Sequence, residues 1–221
     1  MNIVSPLPPA GQHDAGPDTA AAPAGIVAAL RPAIVLTVLF TALTGLAFPL
    51  AFVGIAKAVF PSQSGGSLVE RNGAVVGSAL LGQTFTQDKY FQGRPSATSA
   101  PDPADSTKTV SAPYNAGNSS GSNAGPTSKT LNERVAADME KAGAKPVPGD
   151  ALTTSASGLD PHVSPANADR QVARVAAARG VPEAQVRALV AAHTGGRLLG
   201  LIGEPRVDVL ALNLALDAAK P

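Results

Sequence analysis

The chain has 221 residues, 44% of them apolar but only 4% aromatic, with no tryptophan and no cysteine. Lys and Arg number 17 against 16 Asp and Glu, a net charge of +1, which leaves no electrostatic footprint for nucleic acid. Disulfides and thiolate metal sites are excluded, and His13, His162 and His193 are too scattered to mark a metal site by spacing.

Residues 1–30 hold five prolines and three glycines with almost no periodicity and read as a disordered leader. Residues 33–56, AIVLTVLFTALTGLAFPLAFVGIA, carry no charge. As a helix they measure about 36 Å, enough to cross a hydrocarbon core of roughly 30 Å. The rival is a cleavable signal peptide, and Ala56-Lys57-Ala58 fits its cleavage pattern. A signal core is only about 7–15 residues long and follows a basic start, whereas the only Lys or Arg before residue 57 is Arg31. A retained single-pass helix over 31–58 is the expectation, with Pro32 at its first position and Pro49 kinking it. Thr37, Thr41, Thr44 and Gly45 fall at i, i+4, i+7 and i+8 and share one face. Small residues and hydroxyls let helices approach in lipid, so this face is a candidate packing surface; the alternative is that it meets lipid and its threonines bond back to their own helix.

Residues 59–221 read as a small α+β domain. Asn72-Gly73 between LVER and AVV predicts a hairpin, because a type I′ turn needs positive φ at both central residues. GSALLGQTF (77–85) is a possible further strand. From Gln87 to Pro126, Ser, Pro, Gly, Asn and Asp dominate, which predicts a long loop. Thr130 and Glu133 have the spacing of a capping box for a helix that stops near Gly143. Ser164-Pro165 opens a second helix closed by Gly180. Val181-Pro182 opens a third that ends at Gly195-Gly196 with His193 in its last turn, and a last helix follows Pro205.

The ordered set GQ-x-F, YFQGRPSA, NSSGSNAGP, SASGLDPHVSP, QVARVAAARG, HTGGR and GEPRVDVLALNLALD, behind a single apolar helix, resembles the C subunit of the bacterial Kdp potassium-transporting P-type ATPase. The resemblance covers roughly residues 30 to 218; the long leader and Ala124, where a larger apolar residue is expected, depart from it. It implies a non-catalytic accessory subunit of a potassium-uptake complex in the cell inner membrane. Its partners would be a potassium-channel-like subunit and an ATP-hydrolysing subunit that forms the phosphoaspartate, with membrane lipid around the helix. The family is described as a catalytic chaperone that raises the ATP affinity of the hydrolysing subunit; no intrinsic cofactor is implied, and ATP enters only through the resemblance. The family places the soluble domain outside the cytoplasm. Charges near the span, Arg31 on one side and Lys57 and Arg71 on the other, weakly favour the opposite topology, although long domains translocate largely regardless of such charges.

Candidate contact residues come from the loops. Tyr90, Phe91 and Arg94 combine residue types enriched at interfaces, though the octet also suits a locally buried turn. Ser120 and Asn123 lie in NSSGSNAGPTSKT, which fails the phosphate-loop pattern because Ser128, not Gly, precedes Lys129. Asp160 and His162 sit near Ser155 and Ser157, and an anchored hydrolase using Ser157 or His162 is the alternative function. Against it, no nucleophile elbow is present, and Gly158 and Asp160-Pro161 read as turns. A passive envelope tether is a third reading. Arg170 and Arg174, one turn apart, are expected on a solvated face.

Overall fold

The computed structural model describes residues 25–142 and 146–219. Most of the expected leader (residues 1–24) and the expected helix stop at Gly143 lie outside the described residues. The chain divides into two compact units that meet at the Val59–Phe60 junction.

The first unit is one apolar helix, Ile26–Val59, of 34 residues. It comprises α1 (Ile26–Phe40), a π-helical stretch (Thr41–Ala47) and α2 (Phe48–Val59). It begins before Pro32, not at it. Gly25 is the N-cap, its carbonyl accepting from Ala28 N–H at 2.8 Å, because Ile26 to Leu30 are themselves apolar and compatible with a helix. Pro32 therefore lies inside the helix, where a missing N–H costs one bond that a long helix tolerates. Pro49 acts differently. Its ring crowds the carbonyl one turn back, and the preceding turn widens so that Phe48 N–H bonds Leu43 O, five residues earlier. The aliphatic and phenyl side chains along this helix are exposed, and the helix is long and apolar enough to cross a membrane.

The second unit begins with a short helix, α3 (Pro61–Ser64), and the expected hairpin of β1 (Leu68–Arg71) and β2 (Ala74–Ser78). Asn72 and Gly73 have φ of +53° and +77°, the turn that the dipeptide predicts. The possible strand over 77–85 is not formed; β2 ends at Ser78 and the chain turns. The long loop contains its own antiparallel pair, β3 (Ser99–Pro101) with β4 (Thr109–Ser111), too short to show a period in sequence. Next come α4 (Lys129–Ala142), α5 (Gly149–Leu152), β5 (His162–Val163), α6 (Pro165–Arg179), α7 (Glu183–Ala192), β6 (Thr194–Gly195), β7 (Arg206–Asp208) and α8 (Val209–Ala218). Strand β7 pairs antiparallel with β5 on one side and β6 on the other.

The capping box at Thr130 and Glu133 does not form. Helix α4 starts two residues earlier than that box requires, at Lys129; Ser128 Oγ accepts from Leu131 N–H at 3.4 Å, and Glu133 faces Lys129 at 3.6 Å. Helix α6 starts and stops as its sequence signals require. Ser164 Oγ accepts from Asn167 N–H at 3.1 Å, and Asp150 of α5 accepts from the Ser164 N–H, the Ser164 hydroxyl and the Asn167 amide. Helix α7 ends at Ala192, earlier than Gly195-Gly196, because Thr194 and Gly195 pair with β7. Its C-cap is His193, whose N–H donates to Leu189 O at 3.0 Å while ring Nδ1 lies 2.9 Å from the same carbonyl.

The core lies between α6, α7, α8 and the β5–β7 strands. Val172, Val175, Val186, Val207 and Leu212 are fully buried there, and Phe91 from the long loop fills the same cluster. With valine and alanine as the main fillers, one phenyl ring contributes a large share of the apolar area removed from water.

Candidate functional site

Three features are candidates for a functional site: one face of the apolar helix, a polar network inside the loops, and an apolar hairpin. On the helix, Thr41 and Gly45 remain neighbours through the widened turn, since a Cβ on Gly45 would lie 3.9 Å from Thr41 Cγ2. Thr44 instead donates its hydroxyl to Phe40 O at 2.6 Å, occupying one of the carbonyls near the π stretch. Thr37 lies in α1, outside the π stretch.

The loop residues expected to meet partners divide by burial. Phe91 is wholly buried, so its side chain is not offered to a partner: its backbone N–H and C=O are both held by the Asn213 amide, at 2.8 and 2.9 Å. Gln171 holds Gln92 in the same way, at 2.8 and 3.0 Å. The YFQG segment is thus held from both sides, with Phe91 buried and Gln92 exposed. Tyr90 donates its hydroxyl to Asp217 Oδ2 at 3.0 Å, and its ring lies under Lys89 and Arg179 at 5.1 and 5.2 Å. Asp217 also receives Arg71 and Arg179 at 3.2 and 2.8 Å. Burial raises the Asp217 pKa, but the hydrogen bonds from Arg179, Tyr90 and Arg71 outweigh it and hold the carboxyl below the usual range. Arg174 does not mark a solvated face. Its guanidinium reaches back to Asp88 O and Tyr90 O at 2.6 and 3.1 Å, while Arg170 is exposed.

Arg94 and Asp160 are brought together at 3.1 Å. The guanidinium also reaches the Thr154 carbonyl at 3.3 Å, and its Nε is buried without a hydrogen-bond partner among the described residues. Asp160 Oδ1 accepts from His162 N–H at 2.9 Å and lies 3.6 Å from the His162 ring. Ser157 Oγ accepts from Leu159 N–H at 3.1 Å, the bond of a local turn. No hydrogen bond joins His162 to Ser155 or Ser157 among the described residues. Tyr114 Oη donates to Arg94 O at 2.6 Å; burial and then the Asp160 charge push its phenol up to about 12.

Ser120 and Asn123 do not join this cluster through their side chains. Ser120 Oγ donates to Ala97 O at 3.4 Å, and Asn123 is exposed at φ +49°. The segments do meet through Gly158, at φ +68°, where a Cβ would stand 2.5 Å from Thr98 Cγ2 and 2.6 Å from Ser120 O. No side chain fits there. Among the described residues no group of three or more His, Asp or Glu is placed to hold a metal ion.

The third feature is RLLGLIGE (residues 197–204), whose apolar centre LLGLI matches none of the motifs above. Its four aliphatic side chains point out from the domain. Apolarity alone did not reveal this, because the pattern suits a buried strand equally well.

The potassium-transporting ATPase c-chain family matches residues 30–218, the span over which the motif order carries the resemblance. The chain is 64% identical over 194 residues to a "Potassium-transporting ATPase KdpC subunit" from Bradyrhizobium diazoefficiens, covering 86% of this chain and 96% of that one. It is 62% identical over 195 residues to the protein of the same name from Rhodopseudomonas palustris strain BisB18 (86% and 98% covered). It is 62% identical over 192 residues to the one from Methylobacterium nodulans (85% and 96% covered). With most of its apolar helix and the elements of its α+β domain inside the matched span, the chain belongs to the family of the c chain of the K+-transporting ATPase.

Proposed function

We propose that this chain is a non-catalytic accessory subunit of an ATP-driven potassium-uptake complex, tied to the membrane by Ile26–Val59 with its domain on the extracytoplasmic side. It stabilises the assembly of the ATP-hydrolysing and channel-like subunits and raises the ATP affinity of the former. The observation that carries this reading is the use made of the polar motif residues. Tyr90 is tied to Asp217 of α8 and Arg94 to Asp160, while Ser157 and Asp160 close local turns by accepting from the Leu159 and His162 N–H groups, as in a rigid body that binds by its outer surface. The hydrolase alternative requires nucleophile and base within hydrogen-bond reach, and Ser157 instead closes its own turn.

ATP is cytoplasmic, so on this topology any effect on ATP affinity runs through the membrane helices and not through nucleotide held by the domain. Three measurements test the reading. Chain purified by a tag from membranes should bring both partner subunits with it. A reporter fused after Pro221 should be active only outside the cytoplasm; activity of a cytoplasmic reporter there overturns the topology. Calorimetry of residues 60–221 with ATP should show no saturable binding below millimolar. Tighter binding would overturn the proposed route and direct mapping to Asn118–Lys129.

A further inference from the structure

Helices α6, α7 and α8 do not close completely on one another. The chain passes from α6 into α7 through Gly180 at φ +67°, and Val181 N–H bonds back to Ala176 O at 3.1 Å. Beside that turn lies a cavity of about 150 Å³. Val186 and Leu216 are 0 and 3% exposed, and with Val181 and Leu189 they make its apolar wall. Its charged lining residues, among the described residues, are Lys89 and Arg179, both basic. Arg179 donates from Nε to Lys89 O at 2.6 Å, from Nη1 to Leu216 O at 3.0 Å and from Nη2 to Asp217 Oδ1 at 2.8 Å, which leaves two of its N–H groups free. Lys89 Nζ lies 5.1 Å from the Tyr90 ring centroid and has no carboxylate partner among the described residues. The carboxylates near it in the chain or the fold are engaged elsewhere. Asp217 is shared by Arg71 and Arg179, Asp88 faces Arg174 at 3.6 Å, and Glu183 faces Arg187 at 3.1 Å.

We propose that this cavity is a binding site for a small carboxylate with a compact apolar tail. The tail seats against Val186 and Leu216, and Lys89 with the free N–H groups of Arg179 holds the carboxylate. Size sets the tail. A cavity of this volume walled by aliphatic side chains stays dry and accepts a molecule as large as benzene, so a single ring or a branched alkyl group fits and a long acyl chain does not. Charge sets the head. With both charged lining residues basic, an anion is attracted and a cation repelled. A free ammonium and two free guanidinium N–H groups also match the acceptor oxygens of a carboxylate. Apolar walls with a few convergent polar groups are the general form of a small-molecule site. The site lies wholly within the α6–α8 layer and the start of the long loop, so it needs no partner subunit and is independent of the accessory-subunit reading.

The test uses the full chain in phosphatidylcholine nanodiscs, free of detergent whose tails would compete. Phenylacetate, its neutral isostere phenylacetamide, and octanoate are titrated while NMR follows the methyl groups of Val186 and Leu216. Phenylacetate should shift both saturably, with a Kd of about 6 mM from its size and the binding efficiency of drug-sized ligands. Phenylacetamide should bind about tenfold more weakly, as should phenylacetate to Lys89→Met, whereas Lys89→Arg should keep the affinity. Lys89 is exposed, so the fold tolerates both changes. Shifts that stay linear to about tenfold above that Kd overturn the site. Equal affinity for the acid and the amide, or full affinity in Lys89→Met, overturns the anionic head. Tighter binding of octanoate overturns the compact tail in favour of an acyl chain. Binding that appears only when Lys220 and Pro221 are removed assigns the cavity to this chain's own residues and overturns the ligand.

Discussion

Asn213 on α8 grips Phe91 across 122 residues of sequence, accepting from its N–H at 2.8 Å and donating to its carbonyl at 2.9 Å. Both residues are almost wholly buried, so this amide replaces water for two backbone groups that have no strand to pair with. Asn213→Leu would preserve bulk and leave both groups unpaired. The expected loss is about 3 kcal/mol, read as a fall in Tm of about 10 °C for the detergent-solubilised chain. An unchanged Tm would mean that water takes over the role of the amide.

Asp217 joins the β1–β2 hairpin to α6 and the long loop through Arg71, Arg179 and Tyr90. Its pKa is lowered in the folded chain, so its contribution is present above the unfolded value near 4 and is lost as pH falls through the folded value. Asp217→Asn should cost about 1 kcal/mol at neutral pH and should flatten the fall in stability below pH about 4. Equal acid sensitivity in both proteins would remove Asp217 from the account.

Tyr114 has its phenol raised to about 12. A raised pKa gives stability that is complete below the unfolded value near 10 and lost as pH rises towards 12. Unfolding followed between those pH values should show an alkaline step that Tyr114→Phe reduces, at the cost of the 2.6 Å bond to Arg94 O. Persistence of the full step in the variant would assign it to other groups.

Gly158→Ala would force a Cβ against Thr98 and the Ser120 carbonyl at positive φ. We expect a loss of about 3 kcal/mol and faster proteolysis in residues 118–129, the loop that this contact holds. By contrast, Gly180→Ala meets open space and carries only the positive-φ cost, about 1 kcal/mol. Similar losses at the two sites would show that close approach adds nothing.

On the membrane helix, Thr41→Leu with Gly45→Leu fills the groove while keeping the segment apolar. Co-purification of partner subunits should fall, whereas Leu39→Ile and Leu43→Ile should leave it unchanged. If the filled variant assembles and supports growth on low potassium like the unmodified chain, the helix face is not the interface.

Local chemistry made several elements legible from the chain itself. Uncharged length identified the apolar helix, Asn72-Gly73 the hairpin, and Ser164-Pro165 with Gly180 the limits of α6. Each depends on groups within a few residues of one another, where the geometry is nearly context-free. The ordered motifs likewise indicated the family before any fold was known. Other features were decided by tertiary structure. Phe91 is core rather than surface because Asn213 and α6 close over it, and Arg174 turns inward because carbonyls of residues 88 and 90 await it. Pro49 did not announce a π turn, and RLLGLIGE did not announce exposure. Burial and hydrogen-bond partners at separations of 80 or 120 residues follow from packing of the whole domain, which no short window of sequence encodes.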